Sequence, residues 1–410
     1  MLDELGRVTD EPGRLTRTFL SPAMRRANRL VAGWMKQAGL KVREDAVGNL
    51  IGRGEGSRRG AKTLLLGSHL DTVRDAGKYD GALGVLLPIA ALTELRLRGV
   101  RLPFAVEVLG FSEEEGVRFA SAYLGSKGFC GKLTAADLKL RDAEGVTVQR
   151  ALDGWNGSNS SQRVGVNALH LPKPAHRTSN LLGYFEAHIE QGPVLEAKNL
   201  SVGVVSAIAG QSRFRITWTG KAGHAGTTPM DLRRDAFAGA AEFAVGVEAI
   251  ARRIPGLVAT IGALKVSPGA ANVIPGEVTH TLDVRHARDS VRRSALLRIG
   301  RFSTQVARRR KLRRSWQRTQ DDGAVACSPA LTAQLARSVR AVQGRSVSLI
   351  SGAGHDGVVV SALAPVAMLF VRCRGGLSHH PDEFAAAKDL GVASQVTVDF
   401  LQRLAANYAD

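Results

Sequence analysis

The chain has 410 residues, 44% of them hydrophobic and 23% charged, which is the balance of an ordinary globular protein of two or three domains. That balance excludes a disordered chain, a collagen-like repeat and a disulfide-stapled miniprotein. The formal charge of +19 raises an anionic partner, but the charge is densest from Arg285 to Arg318, where only Phe302 and Trp316 are aromatic, so no stacking platform for nucleic acid is expected.

Ser21 to Gly39 carries Leu30, Val31, Trp34 and Met35 on one side of a predicted helix, with Gly39 as its cap. Val42 to Arg53 reads as extended. Thr63 to Leu66 reads as a buried strand running into Gly67-Ser68-His69, and Gly84 to Leu97 as a buried helix. Phe104 to Phe111 is a second predicted strand, opening into Ser112 to Glu115. Strands alternating with helices predict an α/β sheet, whose functional loops gather beyond the carboxyl ends of the strands. The two polar clusters are therefore expected to be neighbours.

Residues 136 to 180 are rich in turn signals and read as helices and loops over that sheet. Near Ala209-Gly210 the pattern changes. Arg213 to Thr219, Leu257 to Val266 and Glu277 to Val284 read as strands, with helices from Asp231 to Ala251 and Ala287 to Arg310, a compact α+β block inserted in the chain. The basic run from Arg308 to Arg314 reads as the solvated face of a helix. After about Cys327 the α/β pattern resumes, with a helix from Pro329 to Val342, strands at Val347 to Ile350 and Val366 to Val371, and a C-terminal helix.

Three cysteines, Cys130, Cys327 and Cys373, form no CxxC pair and fit a reducing compartment. The N-terminus is polar, and the longest apolar stretch, Val358 to Val371, is too short to span a bilayer. A cytoplasmic location without membrane contact is expected.

Four clusters carry candidate chemistry. His69 and Asp71 flank one residue and point the same way on an extended strand end, so Asp71 could fix the imidazole's tautomer. Asp80 follows on a glycine-flanked turn. Glu113, Glu114 and Glu115 repel one another unless cations or protons offset them, and side-by-side carboxylates suit metal binding together with proton transfer. His188, before Gln191, and the pair His379-His380 add imidazoles. Carboxylates and imidazoles together suit zinc, manganese or another first-row ion.

These residues sit within GSHLDTV, KYDGALGV, SEEEGVRF, HIEQGPVLE, GHAGTTPM, ANVIPG, LDVRH, SGAGHDG and GLSHHP. In this order and spacing, from about Gly13 to Leu404, the sequence resembles the hydantoinase/carbamoylase branch of the M20 dinuclear metallo-amidohydrolases, which includes allantoate amidohydrolase and N-carbamoyl-L-amino-acid hydrolase. The resemblance implies a discontinuous α/β catalytic domain over 1–209 and 325–410, with a mixed sheet flanked by helices. It also implies a smaller α+β domain over 210–324, serving as lid and homodimer contact. Two divalent ions, Mn2+ or Zn2+, are implied, one held by His69 and His188, the other by Glu115 and His379, with Asp80 bridging. Glu115 takes the ligand role as the last Glu before Gly-x-Arg-Phe, leaving Glu113 outside the site.

By the same resemblance Asp71 orients His69, Glu114 is the general base, and His224 polarises the scissile carbonyl. Gln191, His224, Asn272, Arg285, Gly352 and His355 contact a ureido acid, Arg285 by a bidentate fork on its carboxylate. Two positions depart from the pattern. His380 replaces the usual small polar residue, so it competes with His379, and Gly357 replaces Ala or Ser. The glutamate triplet and the SGAGHD stretch lean toward allantoate, with N-carbamoyl-L-amino acids or 3-ureidopropionate as alternatives.

Overall fold

Runs of apolar residues buried on both faces form the centre of the larger part of the molecule. The computed structural model describes residues 1–157, 166 and 170–408. The chain divides into one unit of Met1–Ser206 with Ala326–Asp410 and another of Ala207–Val325. In chain order the strands are β1 (Lys41–Glu44), β2 (Leu50–Gly54), β3 (Thr63–His69), β4 (Ala105–Phe111), β5 (Leu181–Ile189), β6 (Val202–Ile208), β7 (Gly210–Thr219), β8 (Gly223–His224), β9 (Val258–Ser267), β10 (Val273–Ile274), β11 (Glu277–His286), β12 (Arg313–Asp322), β13 (Val325–Ala326), β14 (Ser348–Ser351) and β15 (Val366–Val371).

The large sheet runs β1-β2-β4-β3-β5-β15-β6-β13, with β14 also on β6. Its central strands β4, β3, β5 and β15 are parallel, while β1, β2 and β6 join antiparallel. Every residue of β3, β4 and β15 is buried, as parallel strands covered on both faces require. The helix Pro22–Gln37 starts where the Ser21 hydroxyl accepts the Met24 amide, and it buries Met24, Ala27, Val31 and Met35. The helix Ala82–Leu97 is apolar nearly all round and lies directly on the sheet. A Cβ at Gly84 would come within 2.3 Å of the Ala187 carbonyl oxygen.

The α/β reading therefore holds, with local differences. The extended stretch from Val42 is a hairpin, β1 and β2, because the Asp45 carboxylate accepts the Val47 and Asn49 amides and turns the chain. Strands β5 and β6 carry polar or small residues that blur their pattern. Of the expected helices and loops over 136–180, Ala135–Lys139 and Val148–Gly157 are helical, while 158–165 and 167–169 lie outside the described residues.

In the second unit an antiparallel sheet, β12-β7-β11-β9, packs against the helices Ala236–Arg252 and Asp289–Arg309. Strand β11 alternates regularly between buried and more exposed positions, and the core gathers Ile216, Trp218, Phe243, Leu282 and Ile299. The first helix begins at Ala236 rather than Asp231, because the Asp235 carboxylate accepts the Phe237 and Ala238 amides. The basic run from Arg308 to Arg314 is not one helical face. The helix stops at Arg309 and the chain re-enters the sheet as edge strand β12, where Trp316 packs edge-on against Phe214 and Phe243. Arginines along such an edge discourage unwanted strand pairing.

All three cysteines are free and buried. Among the described residues no helix is long and apolar enough to cross a membrane. Leu66 is wholly buried in the middle of β3. Leu66→Ala is expected to cost about 2–5 kcal/mol of stability, read from denaturant unfolding curves.

Candidate metal centre

The carboxyl ends of the four central parallel strands each deliver part of one polar cluster. His69 ends β3, Ser112 to Glu115 follow β4, His188 lies at the end of β5, and the turn after β15 leads to Ser378 and His379. The first two clusters are neighbours because β3 and β4 pair in register to His69 and Phe111. The Asp71 carboxylate then accepts the amides of Glu114 and Glu115 at 3.0–3.1 Å, welding the two loops together.

Nδ1 of His69 donates to the Asp71 carbonyl at 3.0 Å, and Nδ1 of His188 to the Ile189 carbonyl at 3.0 Å. A carbonyl only accepts, so each Nδ1 carries a proton, and in the neutral rings both Nε2 atoms present lone pairs. Those lone pairs face Asp80 Oδ1, at 3.4 Å from His69 and 3.2 Å from His188. Three acceptors converging in a buried space need a cation or an added proton between them. On the other side, His379 Nε2 lies 3.6 Å from both Asp80 Oδ2 and Glu115 Oε1, and that Glu115 oxygen is buried without a hydrogen-bond partner. His69, Asp80 and His188 form one group of donor atoms within 4.8 Å of one another, and Asp80, Glu115 and His379 form a second. The residues present thus fit first-row divalent cations, with Asp80 common to both groups.

The electrostatics agree. Burial disfavours charge on His69 and His188, yet neighbouring carboxylates, Asp71 and Asp80 for His69 and Asp80 for His188, outweigh it and hold both imidazoles above their ordinary value. Burial pushes Glu115 up to about 8, reinforced by the charge of Asp80. Glu114 is held well above the usual carboxylate range by burial, and joins His69 and Glu115 in a third group of close donor atoms. Glu113 is absent from these groups, but it is fully buried, and burial and Asp71 raise its carboxyl strongly. Gly81 permits the close packing. It has a φ of +64°, and a Cβ there would strike the His69 ring at 2.3 Å.

The expected substrate contacts divide. Gln191, in a left-handed conformation, donates to Asp80 Oδ2 at 2.8 Å, while its own Oε1 is buried without a partner. His355 is only 1% exposed, its ring edge against His188 and its Nε2 2.7 Å from the Ser351 hydroxyl. Gly352 is exposed on the same loop. In the second unit the exposed His224 and Asn272 are brought together by the β8–β10 pairing and by the bond from the Ala225 amide to the Asn272 carbonyl. Arg285 pairs bidentately with Asp283, two residues back on the same face of β11, at 3.0 and 2.8 Å. Between the two adjacent histidines, His379 faces Asp80 and Glu115, whereas His380 is turned to the Asp382 amide.

Residues 65–403 match peptidase family M20/M25/M40. The chain belongs to that family. It is 41% identical to allantoate deiminase from Arabidopsis thaliana over 98% of this chain and 81% of the relative. It is 39% identical to N-carbamoyl-L-amino acid amidohydrolase from Geobacillus stearothermophilus over 98% and 97%. A hydantoinase/carbamoylase family amidase from Burkholderia multivorans superposes with a TM-score of 0.90 at 32% identity, covering 98% of this chain and 96% of that one.

Three residues of this M20 chain escaped the sequence reading. Arg17, fully buried, donates to the carbonyls of Leu5, Val8 and Leu70, so an N-terminal residue braces the loop between His69 and Asp71. Glu186, also buried, accepts from the Ser68 hydroxyl and the Gly357 amide. Glu383 accepts the amides of Tyr79 and Asp80, and burial, aided by Asp80, lifts it to about 7. Only Glu383 left a signal, standing four residues after His379.

With Glu115 at about 8, the metal-free protein carries a proton there at neutral pH, which an incoming cation must displace. Mn2+ affinity is expected to fall as pH drops below about 8. Calorimetry in buffers of different ionisation enthalpy should show protons released on binding.

Proposed function

We propose that this M20 chain hydrolyses a linear C–N bond of a ureido acid, with allantoate as its substrate and ammonia and carbon dioxide as products. The observation that supports it is the pair of donor groups joined at Asp80, with the buried Glu114 beside His69. We assign two divalent cations, Mn2+ or Zn2+, to the site. His69 and His188 would hold one and Glu115 and His379 the other, with Asp80 placed to serve both. Such ions supply Lewis acidity, polarising a carbonyl and making water acidic.

Glu114 takes the proton of the attacking water and passes it to the leaving nitrogen. Asp71 keeps Glu114 in place through the Glu114 amide and stands 3.4 Å from His69 Nδ1. We assign polarisation of the scissile carbonyl to His224, and the acid end of the substrate to Gln191, Asn272, Arg285, Gly352 and His355. Arg285 would take a substrate carboxylate by sharing or exchanging its bond to Asp283.

The test is ammonia release by Mn2+-loaded protein with allantoate and a panel of N-carbamoyl-L-amino acids, beside a chelated sample and Glu114→Gln. Turnover of allantoate, abolished by chelation and lowered at least ~100-fold in the variant, is expected. Turnover confined to N-carbamoyl amino acids would move the substrate to the second reading, which the Geobacillus relative favours. We further assign a homodimer contact to the second unit. Light scattering of the pure chain is expected to give twice the 43.6 kDa chain mass, and a monomer would overturn that assignment.

A further inference from the structure

Glu383 is 4% exposed and grips the loops that carry Asp80 and Ser378. Its Oε1 accepts the Tyr79 amide at 2.9 Å and the Asp80 amide at 3.0 Å, fixing the peptide plane from which the Asp80 side chain departs. Its Oε2 lies 3.3 Å from the Ser378 hydroxyl, which itself donates to Asp80 Oδ2 at 2.6 Å. Ser378 immediately precedes His379, whose positive φ of 57° turns its ring back toward Asp80 and Glu115. The fit leaves no slack, since a Cβ at Gly77 would come within 2.3 Å of Glu383 Cβ. A further carboxylate so near Asp80 is electrostatically unfavourable, so its presence calls for a geometric reason.

We propose that Glu383 is a positioning residue that locks Asp80 and the His379 loop into ligating geometry, so that retention of metal depends on it. This rests on the metal reading of the site given above. Groups that orient metal ligands commonly change affinity about 10- to 100-fold when lost. Glutamine can replace the glutamate here, because its carbonyl oxygen can accept both amides and its NH2 can donate to the Ser378 oxygen.

Mn2+ is titrated into the metal-stripped full chain and into Glu383→Ala and Glu383→Gln, with thermal melting of each metal-free form and visible spectra of each Co2+-loaded form. Weakening of about 10- to 100-fold in Glu383→Ala, an altered Co2+ spectrum, recovery in Glu383→Gln and matching metal-free melting temperatures are expected. Equal Mn2+ affinity in the wild type and Glu383→Ala overturns the role of Glu383, as does a lowered melting temperature with affinity unchanged. Failure of the wild type to bind Mn2+ overturns instead the metal reading on which the proposal stands. Should Glu383→Ala not fold, Glu383→Asp, one methylene shorter, carries the same comparison, and equal affinity there overturns the proposal.

Discussion

Buried carboxylates govern this molecule. Asp71, Asp80, Glu113 and Glu114 are each less than a tenth exposed, and together with Glu115 they crowd the ends of two adjacent strands. Such a group is stable only if donors or cations answer each charge. Asp71 is answered by main-chain amides, Asp80 by a hydroxyl, an amide and the imidazoles once these take up a further proton. Glu114 and Glu115 are met partly by protons, which their raised carboxyls retain. The remainder is an electrostatic demand that a divalent cation would answer.

The sheet makes that concentration possible. Four parallel strands end at one edge, and each contributes through its last residues or the loop that follows, so groups more than 300 positions apart in sequence share one space. Rigid, fully buried strands hold the groups within hydrogen-bond reach, and small residues such as Gly81 and Gly84 let loop and helix approach closely enough.

Much of this was legible beforehand. Periodicity located the buried strands before His69 and Ser112, and the strand-end rule made those clusters neighbours. Adjacent histidines could not be separated by sequence, because the choice rests on a backbone turn at His379 that composition does not encode. Arg17 and Glu186 stayed hidden for a related reason: each acts through main-chain carbonyls, amides or a serine hydroxyl, partners that leave no mark in a motif. Edge strand β12 was hidden by its own arginines, whose charge resembles that of an exposed helical surface while the alternation of Trp316 with polar neighbours is weak.

The two inner imidazoles are each oriented by a main-chain carbonyl, that of Asp71 for His69 and that of Ile189 for His188. No single substitution deletes a carbonyl. The orientation of His188 is thus insulated from side-chain substitution, whereas His69 Nδ1 also has the Asp71 carboxylate at 3.4 Å. A ring held by the main chain would keep its orientation while the side chains around it change. Relatives of near-equal identity that bear the names of different ureido substrates are the outcome such a separation allows.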